Sequence, residues 1–166
     1  MAETKEIEVL KKALLLERQG RAFYQRVSKD SESQAVSSLF AIMAEEEAQH
    51  IEYLSEQFAS FSANGEFLQK EPEGGDQTAV QAILSSEIRN QISAASYEAA
   101  AISAAMEMEN RAVSVYSERA AASDDPGERK LYAWLAQWET GHLKFLAEIN
   151  DQLLEEVWYE SSFWPF

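Results

Sequence analysis

The 166-residue chain contains no cysteine. That absence excludes disulfides, zinc–thiolate sites, iron–sulfur clusters and thiol nucleophiles. Any metal would have to be held by oxygen and imidazole nitrogen. Proline and glycine are scarce, three and six residues respectively, and they fall in a few clusters rather than through the chain. No apolar run approaches the ~20 residues that span a bilayer, and the opening MAETKEIEVLKK lacks the apolar segment of a secretion signal. A cytoplasmic protein with no membrane partner is the expectation. Basic residues are outnumbered 14 to 29, giving a net charge of −15. A surface this acidic repels nucleic acid and anionic membranes. It would also concentrate cations, although solubility alone explains it equally well. Histidine is scarce as well, with only two.

What remains is rich in Ala, Glu, Leu and Gln and carries no long alternating pattern, so it reads as all-α. A first helix is expected from about Thr4 to Lys29, with Ile7, Leu10, Leu14 and Phe23 at a helical period. Ser31-Glu32-Ser33 supplies capping residues for a second helix running to about Phe61. The stretch 62–76 holds Asn64-Gly65, Pro72 and Gly74-Gly75, strong loop punctuation. A short extra helix from about Gln77 to Ile92 follows, then a long one from Ser96 to Ala122. Asp125 and Pro126 open a last helix, as N-cap and first helical residue, which reaches about Tyr159. One domain is expected over 1–166: a hairpin 4–61, a crossover 62–95, a hairpin 96–159 and a tail 160–166. Two short-turn hairpins joined by one long crossover describe a ferritin-like four-helix bundle.

The two hairpins repeat one another at a shift of 92 residues. Leu39-Phe40-Ala41 falls on Leu131-Tyr132-Ala133, Ala13 on Ala105, Glu17 on Glu109, Tyr24 on Tyr116, Glu47 on Glu139 and His50 on His142. Shared apolar positions follow from two helices needing the same buried stripe. Shared Glu and His do not, because a core stripe does not ask for them. Both histidines sit three residues after a glutamate, in Glu47-Ala48-Gln49-His50 and Glu139-Thr140-Gly141-His142. Residues i and i+3 lie on one helix face. Each motif also has a glutamate 30 residues upstream, since 47 − 17 = 30 and 139 − 109 = 30. In a short-turn hairpin that spacing returns the chain to the same height on the neighbouring helix. Glu17, Glu47, His50, Glu109, Glu139 and His142 are therefore expected at one level inside the bundle. Four buried carboxylates need counter-charge; two divalent cations supply it, and mixed carboxylate–imidazole donors suit iron or manganese better than magnesium. The competing reading is a bundle with two satisfied histidines and ordinary solvated glutamates.

These residues resemble the rubrerythrin-like branch of the ferritin-like superfamily, through Ala13-x3-Glu17-x6-Tyr24 with Glu47-x2-His50, and Ala105-x3-Glu109-x6-Tyr116 with Glu139-x2-His142. The resemblance covers about residues 5–60 and 95–150. It implies a non-haem di-iron centre, with manganese or a mixed site as variants. Glu47 and Glu139 would bridge the metals, Glu17 and Glu109 would be terminal ligands, and each histidine would bind one metal. It also implies a homodimer. Two departures stand out. The rubredoxin domain with its four cysteines is missing, so peroxidase chemistry would need an external electron donor. The seventh glutamate of rubrerythrins is missing too, its candidate positions being Met106 and Ala112. The implied function is oxidation of Fe(II) by O2 or H2O2, as ferroxidase or peroxidase in iron handling and defence against oxidative stress. The alternative is a protein that buffers iron or another divalent ion without turnover, and a third reading is a purely structural or interaction bundle.

Further side chains bear on the site. Tyr24 and Tyr116 lie two turns after their glutamates and lean back toward the expected metal level, either to orient a ligand or simply as core residues. Gly20, one turn after Glu17, leaves room above the metals or allows close helix approach. Trp134 and Trp138 flank Glu139 and are expected to pack against a neighbouring helix or subunit. The aromatic C-terminus, Val157 to Phe166, is expected to pack on the bundle or on a second subunit.

Overall fold

A computed structural model describes residues 4–70, 72, 78–94 and 96–160, with the backbone alone at 78–84 and 160. Five helices follow one another: α1 (Lys5–Asp30), α2 (Gln34–Asn64), α3 (Thr78–Gln91), α4 (Tyr97–Ala122) and α5 (Pro126–Glu160). Among the described residues there is no strand, and no helix is long and apolar enough to cross a membrane.

The boundaries follow from capping. Thr4, Ser33 and Ser96 each accept a backbone N–H three residues on, so the orphan amides of α1, α2 and α4 find partners. Asp125 Oδ1 takes the Glu128 N–H at 2.8 Å and starts α5. The second helix runs three residues past its expected end at Phe61. It stops only where Gly65 adopts φ 70°, the left-handed conformation that closes a helix and that residues with a Cβ rarely adopt. Asn64-Gly65 thus ends the helix from inside, where the sequence placed it in a loop.

Contacts between helices fix their directions. Tyr24 packs on Phe40, Ser28 bonds Ser37 and Glu17 meets His50, so α1 and α2 are antiparallel. Tyr116 on Tyr132 and Arg119 on Glu128 make α4 and α5 antiparallel as well. Tyr24 to Glu109 and Tyr116 to Glu17 set α4 against α1, again antiparallel. Glu46 to His142 and Tyr53 to Trp134 do the same for α2 and α5. Because α2 and α4 then run the same way, the chain between Gly65 and Ser96 must return along the bundle. Within that return α3 packs against α2 and α5. Of the expected tail 160–166, Glu160 is the last residue of α5 and 161–166 lie outside the described residues; just before it, Trp158 and Tyr159 are 70% and 86% exposed.

The core comes in two apolar blocks, one at each end. One contains Val27, Leu39, Phe40, Met43, Ile102, Leu146 and Ile149. The other contains Leu10, Ala13, Leu54, Leu131 and Leu135. Along every long helix the polar residues of the repeat fall between the two blocks. The blocks hold the bundle together, at about 1.5–3 kcal/mol for each large side chain fully buried, and they bracket a polar layer at mid-height.

A paired substitution sets the two hairpins apart near their turns. Val27 and Val36 of the first are replaced, at the shift of 92, by Arg119 and Glu128. Arg119 grips Glu128 through Nε and a terminal nitrogen, both at 2.6 Å, and Ser123 Oγ adds a third bond at 2.6 Å. Removing one partner of a buried pair strands the other, whereas replacing both by apolar groups is often neutral. Arg119→Val should therefore lower the unfolding free energy by about 3–5 kcal/mol in urea titration, and adding Glu128→Val should restore most of it. Equal losses in the single and double variants would contradict this.

Candidate metal centre

The polar layer is made of the side chains that the repeat singles out. Glu17, Glu47, His50, Glu109, Glu139 and His142 are at most 3% exposed and come one each from α1 and α4 and two each from α2 and α5. The structure brings all six together. Two sets of four each offer donor atoms lying within 4.8 Å of one another: Glu17, Glu47, His50 and Glu139, and Glu47, Glu109, Glu139 and His142. Glu47 and Glu139 belong to both sets. Each set pairs these two with one histidine and one helix-hairpin glutamate, which is the arrangement needed for two adjacent cations sharing two carboxylates.

Both histidines turn Nδ1 inward. His50 Nδ1 lies 2.9 Å from Glu17 Oε2 and 3.0 Å from Glu139 Oε1, and His142 Nδ1 lies 3.1 Å from Glu139 Oε2 and 3.4 Å from Glu109 Oε1. Glu139 Oε1, although 3.0 Å from His50 Nδ1, is a buried oxygen that makes no hydrogen bond. An unsatisfied buried carboxylate oxygen between two imidazoles is costly and fits a position meant for a cation.

The tyrosines act across the bundle. Tyr24 of α1 donates its hydroxyl to Glu109 Oε1 of α4, and Tyr116 of α4 donates to Glu17 Oε1 of α1. The hydroxyls reach the polar layer as the helix geometry suggested, but each serves the glutamate of the other hairpin. Burial and the adjacent carboxylate, Glu109 for Tyr24 and Glu17 for Tyr116, push both phenols well up. They therefore remain protonated donors. Glu17 is left with Oε2 turned into the cluster, against His50 Nδ1.

The two faces of the layer differ. On the α2–α5 side, Trp134 and Trp138 stand edge-on to His50, with ring centroids at 5.4 and 5.8 Å. Trp138 thus packs on a histidine of the polar layer, within its own chain. On the α1–α4 side a cavity of about 40 Å³ is lined by Glu17, Gly20, Glu47, Glu109, Ala112 and Glu139, with exposed Gln19 and Arg111 at its rim. A Cβ added at Gly20 would meet the Glu47 carboxyl carbon at 3.6 Å and Tyr24 at 3.8 Å, with no neighbouring helix backbone among its nearest atoms. Of the two reasons for this glycine, open space over the carboxylates fits better than close helix approach.

Glu46 was not legible as part of the site. It sits in the acidic run Glu45-Glu46-Glu47, which reads as a solvated face, yet it is 4% exposed and its Oε2 lies 2.7 Å from His142 Nε2. No signal in the sequence marks it: in a run of three glutamates nothing distinguishes the one that points across to the histidine of the opposite hairpin.

With four carboxylates this close, protons and imidazolium charges are what balance them when metal is absent. Burial and Glu139 raise Glu47 well above the usual carboxylate range, and raise Glu109 to about 8. Burial opposes protonation of His50 and His142, but Glu139 beside His50 and Glu109 beside His142 overcome it and both are raised. Burial also opposes ionisation of Glu139; His50 and His142 hold it ionised all the same, well below the usual range. Groups raised on folding bind more protons folded than unfolded, so their stabilisation is complete below the unfolded value and is lost as pH climbs through the folded one. The stabilisation from Glu139 is present throughout that range and is lost only in acid. Metal-free protein should therefore lose thermal stability between about pH 5 and pH 9, and saturating Mn(II) should abolish most of that loss. Melting curves with chelator and with Mn(II) check this; parallel curves across the range would contradict it.

A family model described as Rubrerythrin matches residues 8–150. No curated protein and no solved structure matches the chain. The family match spans both halves of the repeat and every residue of the polar layer, and the chain belongs to the rubrerythrin family.

Proposed function

We propose that this protein is a non-haem di-iron oxidoreductase that oxidises Fe(II) with O2 or H2O2, with Glu17, Glu47, His50, Glu109, Glu139 and His142 as the metal ligands. The observation that carries the reading is the pair of four-residue sets sharing Glu47 and Glu139. Four carboxylates balance two divalent ions, the two imidazoles favour iron or manganese over magnesium, and the family is one in which iron is typical. When bound, an Fe(II) pair supplies two electrons, which with two protons take O2 to H2O2 or H2O2 to two waters.

The chain's own residues would do the rest. Glu47 and Glu139 set the spacing of the pair by facing both positions. Glu17 and Glu109 hold one position each, and the phenols of Tyr116 and Tyr24 keep those carboxylates from swinging away. The tryptophans exclude water on the His50 side. The cavity over Gly20 and Ala112 leaves the opposite side open. At about 40 Å³ it has space for a molecule the size of O2 or H2O2 and not for an organic substrate. Among the described residues no seventh carboxylate lines it, and Ala112 forms part of the wall. These residues hold no cysteine, so a peroxidase cycle would draw its electrons from an external donor; the second reading, resting on the same pair of four-residue sets, is metal buffering without turnover.

Elemental analysis with anaerobic Fe(II) loading, followed by stopped-flow mixing with O2 or H2O2, tests both readings. The expected result is two irons per chain oxidised within seconds, and fewer than two in Glu47→Ala or Glu139→Ala with the rapid phase gone. Two irons that oxidise no faster than free Fe(II) would leave the buffering reading. A full complement of two metals in either variant would refute the ligand assignment.

A further inference from the structure

We infer that Glu46 makes the two metal positions inequivalent, so that the position served by His142 binds its metal more tightly than the one served by His50. The inference rests on the metal-centre reading above and adds an asymmetry that a duplicated bundle does not by itself contain.

In both histidines Nδ1 faces the carboxylates, so a metal bound there leaves the proton on Nε2. From that point the two differ. His142 Nε2–H points at Glu46 Oε2, 2.7 Å away, with both residues buried. His50 Nε2 is buried with no hydrogen-bond partner, and the rings of Trp134 and Trp138 surround it. The cause is one position of the repeat. The shift of 92 that superimposes Glu47 on Glu139 and His50 on His142 places Glu46 on Trp138. Glu46 reaches across from α2 to the histidine of the other hairpin as a carboxylate, whereas Trp138 offers an indole edge to His50 across the bundle at 5.8 Å and to His142 on its own helix at 6.5 Å. The backbone offers two equal positions, and the side chains make them unequal.

A carboxylate that accepts the outer N–H of a metal-binding histidine fixes the ring and makes the inner nitrogen a stronger donor; losing such a partner commonly costs 10–100-fold in metal affinity. Packing alone gives no reason for this residue. A buried carboxylate is expensive without a partner, and Glu46 keeps one oxygen, Oε1, with no hydrogen bond at all. Glu46 is thus a positioning residue acting through His142, and His50 has no counterpart to it.

The test is an anaerobic titration of the metal-free full chain with Co(II), followed by calorimetry, together with proton spectra of the loaded protein to observe the exchangeable imidazole N–H signals shifted by the metal. Two binding steps about 10-fold or more apart are expected. Glu46→Gln should weaken the tighter step about 10-fold, leave the weaker one in place and move one of the two N–H signals. Trp138→Glu, which gives His50 the matching partner, should tighten the weaker step and narrow the gap. Two equal steps in the unaltered chain would overturn the inference while leaving the metal centre standing. A loss in Glu46→Gln shared by both steps and by the melting temperature would also overturn it, because that is what a merely structural role would produce. Failure of the unaltered chain to bind Co(II) would instead take down the metal-centre reading, and the inference with it.

Discussion

Four carboxylates buried at one level are the constraint on which the rest of this bundle depends. Glu17, Glu47, Glu109 and Glu139 occupy the middle of a helix bundle, away from solvent, where a full set of negative charges is untenable without compensation. The surroundings are arranged around that fact. Two imidazoles point their Nδ1 atoms inward, two phenols arrive from the opposite hairpin, and two apolar blocks close the bundle above and below. Without metal the compensation is protonic, which is why Glu47 and Glu109 are raised while Glu139, between two imidazoles, is lowered. Two divalent cations would supply the same compensation, since the two sets of four side chains share Glu47 and Glu139.

The repeat explains how such a layer is built, and its exceptions explain how it is specialised. Two copies of a hairpin place ligand types in matching positions at no further cost in topology. Three departures from the repeat carry the individuality of this chain. Arg119 and Glu128 replace Val27 and Val36 and tie down the second turn. Gly20 and Ala112, on α1 and α4, differ by a methyl group and border the cavity over the carboxylates. Glu46 and Trp138 give the two histidines different outer partners. An ion pair near a turn concerns stability, whereas the other two departures lie directly on the polar layer.

Much of this was legible because helical spacing is rigid. Glu47 and His50 share a face at i and i+3, a short turn fixes the height of Glu17 opposite them, and the 92-residue shift doubles both statements. Helix bounds came within a few residues for the same reason, with Ser33 and Asp125 announcing their caps. Contacts between helices were harder to read. Periodicity tells which face a residue is on but not which neighbour it meets, so the crossing of Tyr24 to Glu109 and of Tyr116 to Glu17 was not legible. Glu46 was hidden by its context: in a chain with 29 acidic residues, a run of three glutamates has no mark to show that the middle one is buried. Trp138 was read as facing a neighbouring helix or subunit, and it does meet the neighbouring helix α2, but periodicity did not tell that its partner there is His50.

The most direct measurement is a crystal structure of the chain loaded anaerobically with Fe(II), with anomalous scattering at the iron edge used to locate the metals. The account predicts two peaks about 3.5–4 Å apart, both within bonding distance of Glu47 and Glu139, one beside Glu17 and His50 and the other beside Glu109 and His142. A single peak, or iron bound only on the acidic surface, would contradict it.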